Sequence, residues 1–230
     1  MNYEYPTTQD KIKRIFYSVY SWMTAALILT GITAYVVAHN KPLFSVILAH
    51  RWVSLTLFLV QLIVVIVFVG LLSRLSYAMA LFLFFLYSVL SGITLSVIFF
   101  TYDLSSIIQA LFITAGMFIS MALYGYLTGA DLSKMGSILR MALWGMILAL
   151  LINIFIKSST LSLLFSIVGV VLFSALTAYD VYTIKQLASR LEGADSESYA
   201  KIGVLGALQL YLDFINLFLS LLNITGKQRE

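Results

Sequence analysis

Apolar residues occur in seven long runs along the chain, and short polar segments separate each run from the next. The runs cover residues 15–38, 52–72, 77–100, 107–127, 138–156, 161–183 and 202–224. A helix of about 20 apolar residues crosses the hydrocarbon core of a bilayer, so each run is long enough to span it. The pattern predicts an all-α integral membrane protein with seven transmembrane helices. The longest predicted connection, residues 185–201, is highly charged.

The composition supports this class and excludes several kinds of site. Of the 230 residues, 61% are hydrophobic and 10% are charged, which is more apolar than a soluble domain can hide. The chain has no cysteine, so disulfides, thiolate metal sites and cysteine nucleophiles are excluded. We interpret residues 1–14 as a cytoplasmic N-terminal segment, 15–224 as the transmembrane bundle and 225–230 as a C-terminal tail.

The basic residues of the loops predict the orientation in the membrane. With the N-terminus in the cytoplasm, nine Lys and Arg residues fall inside and five fall outside. Apart from Lys11, Lys13 and Arg14 they are scattered singly, which argues against a nucleic-acid partner. The distribution therefore predicts a multi-pass protein whose N-terminus is cytoplasmic.

Two aspartates interrupt the apolar runs. Asp180 lies near the cytoplasmic end of the sixth span, and Asp213 lies about eleven residues into the seventh. A carboxylate near the bilayer centre costs about 2.5–3.5 kcal/mol, so such residues usually have a function. Because the two spans are consecutive, the carboxylates can meet, and we expect the pair to titrate as a unit near neutral pH. The pair can share a proton, hold a divalent cation or act as an acid–base couple. Alternatively, each carboxylate only accepts hydrogen bonds from neighbouring helices.

Other polar residues accompany the aspartates. Gln209 and Asn216 lie on the same helical face as Asp213, so the seventh span has one polar face and is predicted to be the central helix. Tyr179 adjoins Asp180 and is expected to pack with its hydroxyl near the pair. Arg74, between the second and third spans, is a candidate ion-pair latch for Asp180; the alternative is an anchor that reaches the lipid headgroups.

Five segments resemble the Bax-inhibitor-type transmembrane family in its bacterial branch: "SGITLSVIFFTY" (91–102), "GYLTGADLSKMGS" (125–137), "INIFIKSS" (152–159), "LTAYDVYTIK" (176–185) and "LYLDFINLFLSLL" (210–222). The resemblance covers spans three to seven in order, and the first two spans match only in hydropathy. It implies a bundle of seven helices whose last helix is wrapped by the other six, in the inner membrane of a bacterium.

The resemblance also implies a function, a pH-sensitive calcium leak across the membrane. In the family the aspartates of the "YD" and "LDF" motifs act as pH sensor and gate, and they match Asp180 and Asp213. Calcium is then a permeant or regulatory ion that the pair binds transiently, and no cofactor is permanently bound. A basic partner for the sixth-span aspartate is expected at Arg74.

Three alternatives fit part of the pattern. An intramembrane aspartyl protease would need a glycine-flanked aspartate and a proline-containing motif, but the only prolines are Pro6 and Pro42. Proton-coupled solute transport would use interior acids, yet the spans lack proline-broken helix pairs. A non-transporting regulator of a membrane protease, or of cell-death or stress signalling, would bind another membrane protein. We expect the channel function rather than an enzyme, with the regulator as the alternative.

Overall fold

The computed structural model describes residues 8–42, 44, 51–72, 74–190 and 196–229. Within these ranges the chain is mostly helical, which confirms the all-α prediction. The helices are α1 (Thr8–His39), α2 (Arg51–Leu71), α3 (Tyr77–Leu95), α4 (Ile98–Thr101), α5 (Leu104–Leu127), α6 (Met135–Ile156), α7 (Ser159–Arg190) and α8 (Ser196–Thr225).

Six helical segments of the described chain are long and apolar enough to cross a membrane. They are α1, the segment Tyr77–Thr101 that contains α3 and α4, and α5 to α8. The second predicted span corresponds to a shorter apolar stretch, Leu55–Leu71. The protein is therefore a multi-pass integral membrane protein, and the count of seven spans stays a prediction.

Several predicted boundaries are wrong because charged residues extend the helices beyond their apolar parts. Helix α1 begins at Thr8, well before residue 15. The predicted loop 185–201 is mostly helical, since α7 continues to Arg190 and α8 begins at Ser196; residues 191–195 lie outside the described ranges. Lys and Arg are good helix formers, and Glu197 in the first turn of α8 pairs with Lys201 at 3.2 Å.

Local signals fix other helix ends. Ser76 precedes α3, and its hydroxyl accepts a hydrogen bond from the Met79 backbone at 3.3 Å. Helix α6 ends where Lys157 adopts a left-handed conformation (φ 55°, ψ 38°) and its N–H donates to the Asn153 carbonyl. The Asn153 side chain accepts a hydrogen bond from the Ser158 N–H at 3.1 Å, which holds the turn into α7.

The chain divides into two compact units. Unit 1 contains the described residues of Met1–Thr101 together with Ala188–Leu208 and Arg229. In it, α1 packs on α3: the Thr30 hydroxyl donates to the Ser88 carbonyl at 2.9 Å, and a Cβ on Gly92 would overlap the Thr30 carbonyl. These contacts require a small residue at position 92 because the two helices approach closely.

Unit 2 contains Tyr102–Leu187 and Gln209–Gln228, so it holds both aspartates. Its hydrophobic core joins α6, α7 and α8 through Leu139, Met146, Leu172, Phe173, Leu176, Leu217 and Leu221. Helix α5 contacts α8 where the rings of Phe118 and Phe214 meet edge to face at 5.5 Å. Of the six long segments α8 is the most buried, and its predicted central position stays a prediction.

Candidate functional site

Asp180 of α7 and Asp213 of α8 are both buried in unit 2, with 9% and 4% of their surface exposed. Their carboxylates lie within electrostatic range of each other. Within the described part of the chain, Oδ2 of Asp213 has no hydrogen-bond partner. Buried polar atoms normally have a partner, because an unpaired one loses its hydration without compensation. An unpaired carboxylate oxygen beside a second acid is therefore a feature that packing does not explain.

The spacing of the pair follows from the antiparallel packing of α7 and α8. Ser220 of α8 lies against Gly169 of α7, since a Cβ on Gly169 would meet the Ser220 hydroxyl at 2.5 Å. Leu176 lies seven residues after Gly169 on α7, and Asp213 lies seven residues before Ser220 on α8. Because the helices are antiparallel, Asp213 is level with Leu176. Asp180 lies four residues beyond Leu176, which is about 6 Å along the helix axis. The two acids are thus offset by about one helical turn.

A basic residue that the sequence analysis counted only as loop charge faces the same region. The guanidinium of Arg140, on α6, lies within electrostatic range of Asp180. Its Nη1 is 3.5 Å from the Tyr179 hydroxyl. The available signal was topology: α6 and α7 are consecutive and antiparallel, so the beginning of α6 lies at the level of the end of α7.

Tyr179 precedes Asp180 on α7, and the expected position of its hydroxyl near the pair stays a prediction. Its ring packs against Gly136 near the start of α6, where any Cβ would overlap the ring. Arg74 follows α2 in unit 1, where its N–H donates to the Leu71 carbonyl at 2.8 Å. The predicted latch between Arg74 and Asp180 stays a prediction.

Helix α8 contains the three polar residues that the sequence analysis assigns to one face. Because α8 is one continuous helix, Gln209, Asp213 and Asn216 share a face. The Asn216 amide donates to the Leu212 carbonyl at 2.8 Å, and the Ser220 hydroxyl donates to the Asn216 carbonyl at 2.7 Å. These two side chains are thus hydrogen-bonded within α8 itself.

The turn of α7 that carries Asp180 also holds the end of α5 and the loop after it. Gly125 touches the Ala178 backbone so closely that a Cβ would overlap it. Lys185 donates to the Tyr126 carbonyl at 2.7 Å and lies 4.9 Å from the centre of the Tyr126 ring. These contacts hold the end of α5 and its loop against α7 at residues that precede and follow Asp180.

Asp131 is an exposed residue of this loop. The Tyr182 hydroxyl donates to its Oδ1 at 3.1 Å. The Ser133 backbone N–H also donates to Oδ1, at 2.9 Å, and this bond lowers the pKa of the Asp131 carboxyl below its ordinary value. Asp131 is therefore ionised across the neutral pH range.

Comparison with known proteins shows the family of this chain. The family described as "Inhibitor of apoptosis-promoting Bax1" matches residues 12–230. The chain belongs to this family. The match covers the first two spans as well, where the sequence analysis found only a likeness in hydropathy.

Bacterial relatives align over nearly the whole chain. The inner membrane protein YbhL of Escherichia coli K12 is 43% identical over 211 residues, which is 92% of this chain and 90% of YbhL. An uncharacterized protein of Borreliella burgdorferi is 43% identical over 228 residues, covering 97% of this chain and 98% of its own. One from Deinococcus radiodurans is 42% identical over 223 residues, or 97% and 94%. The name of YbhL gives a membrane location, and none of the three names gives an activity.

The pair of acids limits what this family member can bind there. Among the described residues, no group of three or more His, Cys, Asp and Glu side chains is arranged to hold a metal ion. Calcium takes six to eight oxygen ligands, and two carboxylates supply at most four. A cation at Asp180 and Asp213 would therefore keep part of its water shell.

Proposed function

We propose that this protein is a pH-sensitive calcium leak channel in which Asp180 and Asp213 share a proton and form the gate. The observation that carries the proposal is the buried pair of acids, one of which has a carboxylate oxygen without a hydrogen-bond partner. We further propose that the protein lies in a bacterial inner membrane with its N-terminus in the cytoplasm. It would act as neither an enzyme nor the holder of a permanent cofactor.

Charge repulsion provides the switch in this proposal. Negative charges on both carboxylates would repel each other, and at a separation of about 6 Å and an effective dielectric constant of about 20 the repulsion is about 3 kcal/mol. A proton shared between them removes the repulsion, whereas its loss favours an arrangement in which α7 and α8 hold the acids further apart. A difference of this size is enough to shift a two-state equilibrium about a hundredfold.

The basic residues would set the resting state. Arg140 near Asp180 offsets the negative charge that a cation would need, so a cation and the guanidinium compete for the same carboxylate. Arg74 is proposed to act in the same way as a latch. Calcium would then enter when the carboxylates are ionised and the guanidinium groups have moved away, with Gln209, Asn216 and Tyr179 as the polar surroundings.

The test is calcium flux into dye-loaded liposomes that contain the purified protein, measured from about pH 6 to about pH 8. We expect Asp180→Asn and Asp213→Asn to change the pH dependence, because each removes one titrating group. Asp131→Asn is the matched control, since it makes the same chemical change at an exposed site. Flux that neither buried substitution alters would refute the gate. Wild-type liposomes without flux would refute the channel and favour the regulator, whose partner would then be sought by co-purification.

A further inference from the structure

The end of unit 2 opposite the Asp131 loop contains a cluster of neutral hydrogen-bonding side chains. The Asn223 amide of α8 donates to both Ser162 and Ser166 of α7, at 3.2 and 2.7 Å to their hydroxyls. Its carbonyl oxygen accepts from the Tyr102 hydroxyl at 3.4 Å. We call Tyr102, Ser162, Ser166 and Asn223 the distal cluster. It links the end of α8, the beginning of α7 and the turn before α5.

The C-terminal tail lies across the same turn. The Lys227 N–H donates to the Ser106 hydroxyl at 3.0 Å, and the Asp103 N–H donates to the Lys227 carbonyl at 3.2 Å. Gly226 packs on the Tyr102 ring with no room for a side chain, because a Cβ would lie 2.6 Å from a ring carbon. The tail therefore holds Tyr102 in place against Asn223.

The distal cluster lies on the same face of α8 as the aspartate. Asp213, Asn216, Ser220 and Asn223 follow one another at spacings of three and four residues, so their side chains form one line along the helix. Asn223 is ten residues beyond Asp213, which is about 15 Å along the axis. Between them, Ser220 faces Gly169, where the seam between α7 and α8 is lined by small groups.

We propose that the distal cluster is a second closure, which contains no group that titrates near neutral pH and blocks the polar face of α8 beyond Asp213. This inference rests on the proposed function, since it names the point at which a cation leaving the aspartates would be stopped. The closure depends on hydrogen bonds alone, and the bond from Tyr102 is long at 3.4 Å. Each such bond contributes about 1 kcal/mol, so the cluster is strong enough to close and weak enough to open.

Chemical labelling tests the closure without relying on calcium flux. The chain has no cysteine, so Ser220→Cys introduces a single thiol. This thiol lies about 4.5 Å from Asn223 along the axis of α8, on the side of Asp213. In lipid nanodiscs we expect a water-soluble maleimide to label this thiol slowly. Adding Asn223→Leu should accelerate labelling at least fivefold, because it removes the amide that joins α8 to α7. Equal labelling rates with and without Asn223→Leu would overturn the proposal.

Asn153→Leu is the matched control. It removes an asparagine at the same end of unit 2, where α6 turns into α7, but this residue bonds only within that turn in the contacts described above. We expect it to leave the labelling rate unchanged. Tyr102→Phe deletes one hydroxyl with little loss of packing, so it keeps the test informative if Asn223→Leu lowers helicity. We expect Tyr102→Phe to give a smaller increase than Asn223→Leu, and no increase would overturn the closure.

Flux measurements separate this proposal from the one on which it rests. We expect Asn223→Leu to raise calcium flux severalfold at every pH without moving the midpoint, whereas Asp213→Asn changes the pH profile. Wild-type flux that Asn223→Leu leaves unchanged would reject the closure and keep the channel. Absence of wild-type flux would reject the channel, and the labelling rates would still decide whether the cluster closes the seam.

Discussion

Helices α6 and α8 are both long enough to cross a membrane, yet they occupy opposite environments. Helix α6 is the more apolar of the two, but only 11% of its 18-residue apolar stretch is buried, against 61% for the corresponding stretch of α8. Helix α8 carries Gln209, Asp213, Asn216 and Asn223. In a bilayer, lipid chains are as apolar as leucine, so apolarity does not direct a helix inward. The polar face of α8 marks the interior better than its hydrophobic residues do.

Substitution of one leucine by alanine in each helix should give the largest contrast in stability. Leu217 of α8 is fully buried in the core of unit 2, whereas Leu148 of α6 is 58% exposed. We expect Leu217→Ala to cost about 2–5 kcal/mol of unfolding free energy, because it leaves a cavity. Leu148→Ala should stay within about 0.5 kcal/mol. Denaturation followed by helical circular dichroism in mixed micelles measures both, and equal losses would contradict the assignment of α6 to lipid.

Substitution of two glycines, one in a close helix contact and one on α6, tests the contrast between buried and exposed helix surfaces. Gly125 of α5 touches the Ala178 backbone of α7, while a Cβ on Gly145 of α6 would meet nothing within 4 Å. We expect Gly125→Ala to cost about 1–3 kcal/mol, since backbone atoms cannot rotate away. Gly145→Ala should be neutral or slightly stabilising, because alanine favours helices. If the two variants have the same free energy of unfolding, the close approach of α5 and α7 is wrong.

The attachment of the loop to α7 should have a smaller effect. Lys185→Met removes the charged hydrogen bond to the Tyr126 carbonyl and the contact with the Tyr126 ring. We expect a loss of about 1 kcal/mol, in the range for a partly buried charged bond. Lys134→Met, at an exposed position beside the start of α6, is the control and should change stability little. Proteolysis of the 128–134 loop would report the loosening directly, and unchanged cleavage would argue against the attachment.

The smallest effect is expected at Asp131. Its pKa is held below the ordinary value of about 4 by the Ser133 backbone bond. Its ionised form therefore stabilises the fold above that value, and the contribution is lost as the pH falls through the lower, folded-state pKa. Between pH 6 and pH 8 it does not titrate, so Asp131→Asn should leave the flux profile unchanged. Unfolding of wild type and variant from about pH 2 to about pH 6 should converge at the acidic end.

Part of this arrangement was predictable from sequence because it depends on helical spacing. Asp180 and Asp213 stand out as acids within apolar runs. The shared face of Gln209, Asp213 and Asn216 follows from a period of 3.6 residues. Hydropathy could not find the helix ends, since charged residues such as those near Lys185 continue a helix outside the apolar region.

Other features depend on contacts between distant segments. The approach of Arg140 to Asp180 requires the antiparallel packing of α6 and α7, which spacing within one helix does not contain. The contact of Gly125 with Ala178 likewise depends on the distance between two helices. In the sequence Asn223 is one polar residue near the end of an apolar run, and its partners Tyr102, Ser162 and Ser166 come from two other segments.

The hydrogen bonds that Asn216 and Ser220 make within α8 have a mechanical consequence. Thr177 and Ser166 of α7 do the same, each donating to the carbonyl four residues earlier. Such groups keep their bonds when one helix slides past the other, so displacement along this interface leaves them satisfied. Of the hydrogen bonds described along this interface, those from Asn223 to Ser162 and Ser166 join α8 to α7, so sliding of the two helices would have to break them.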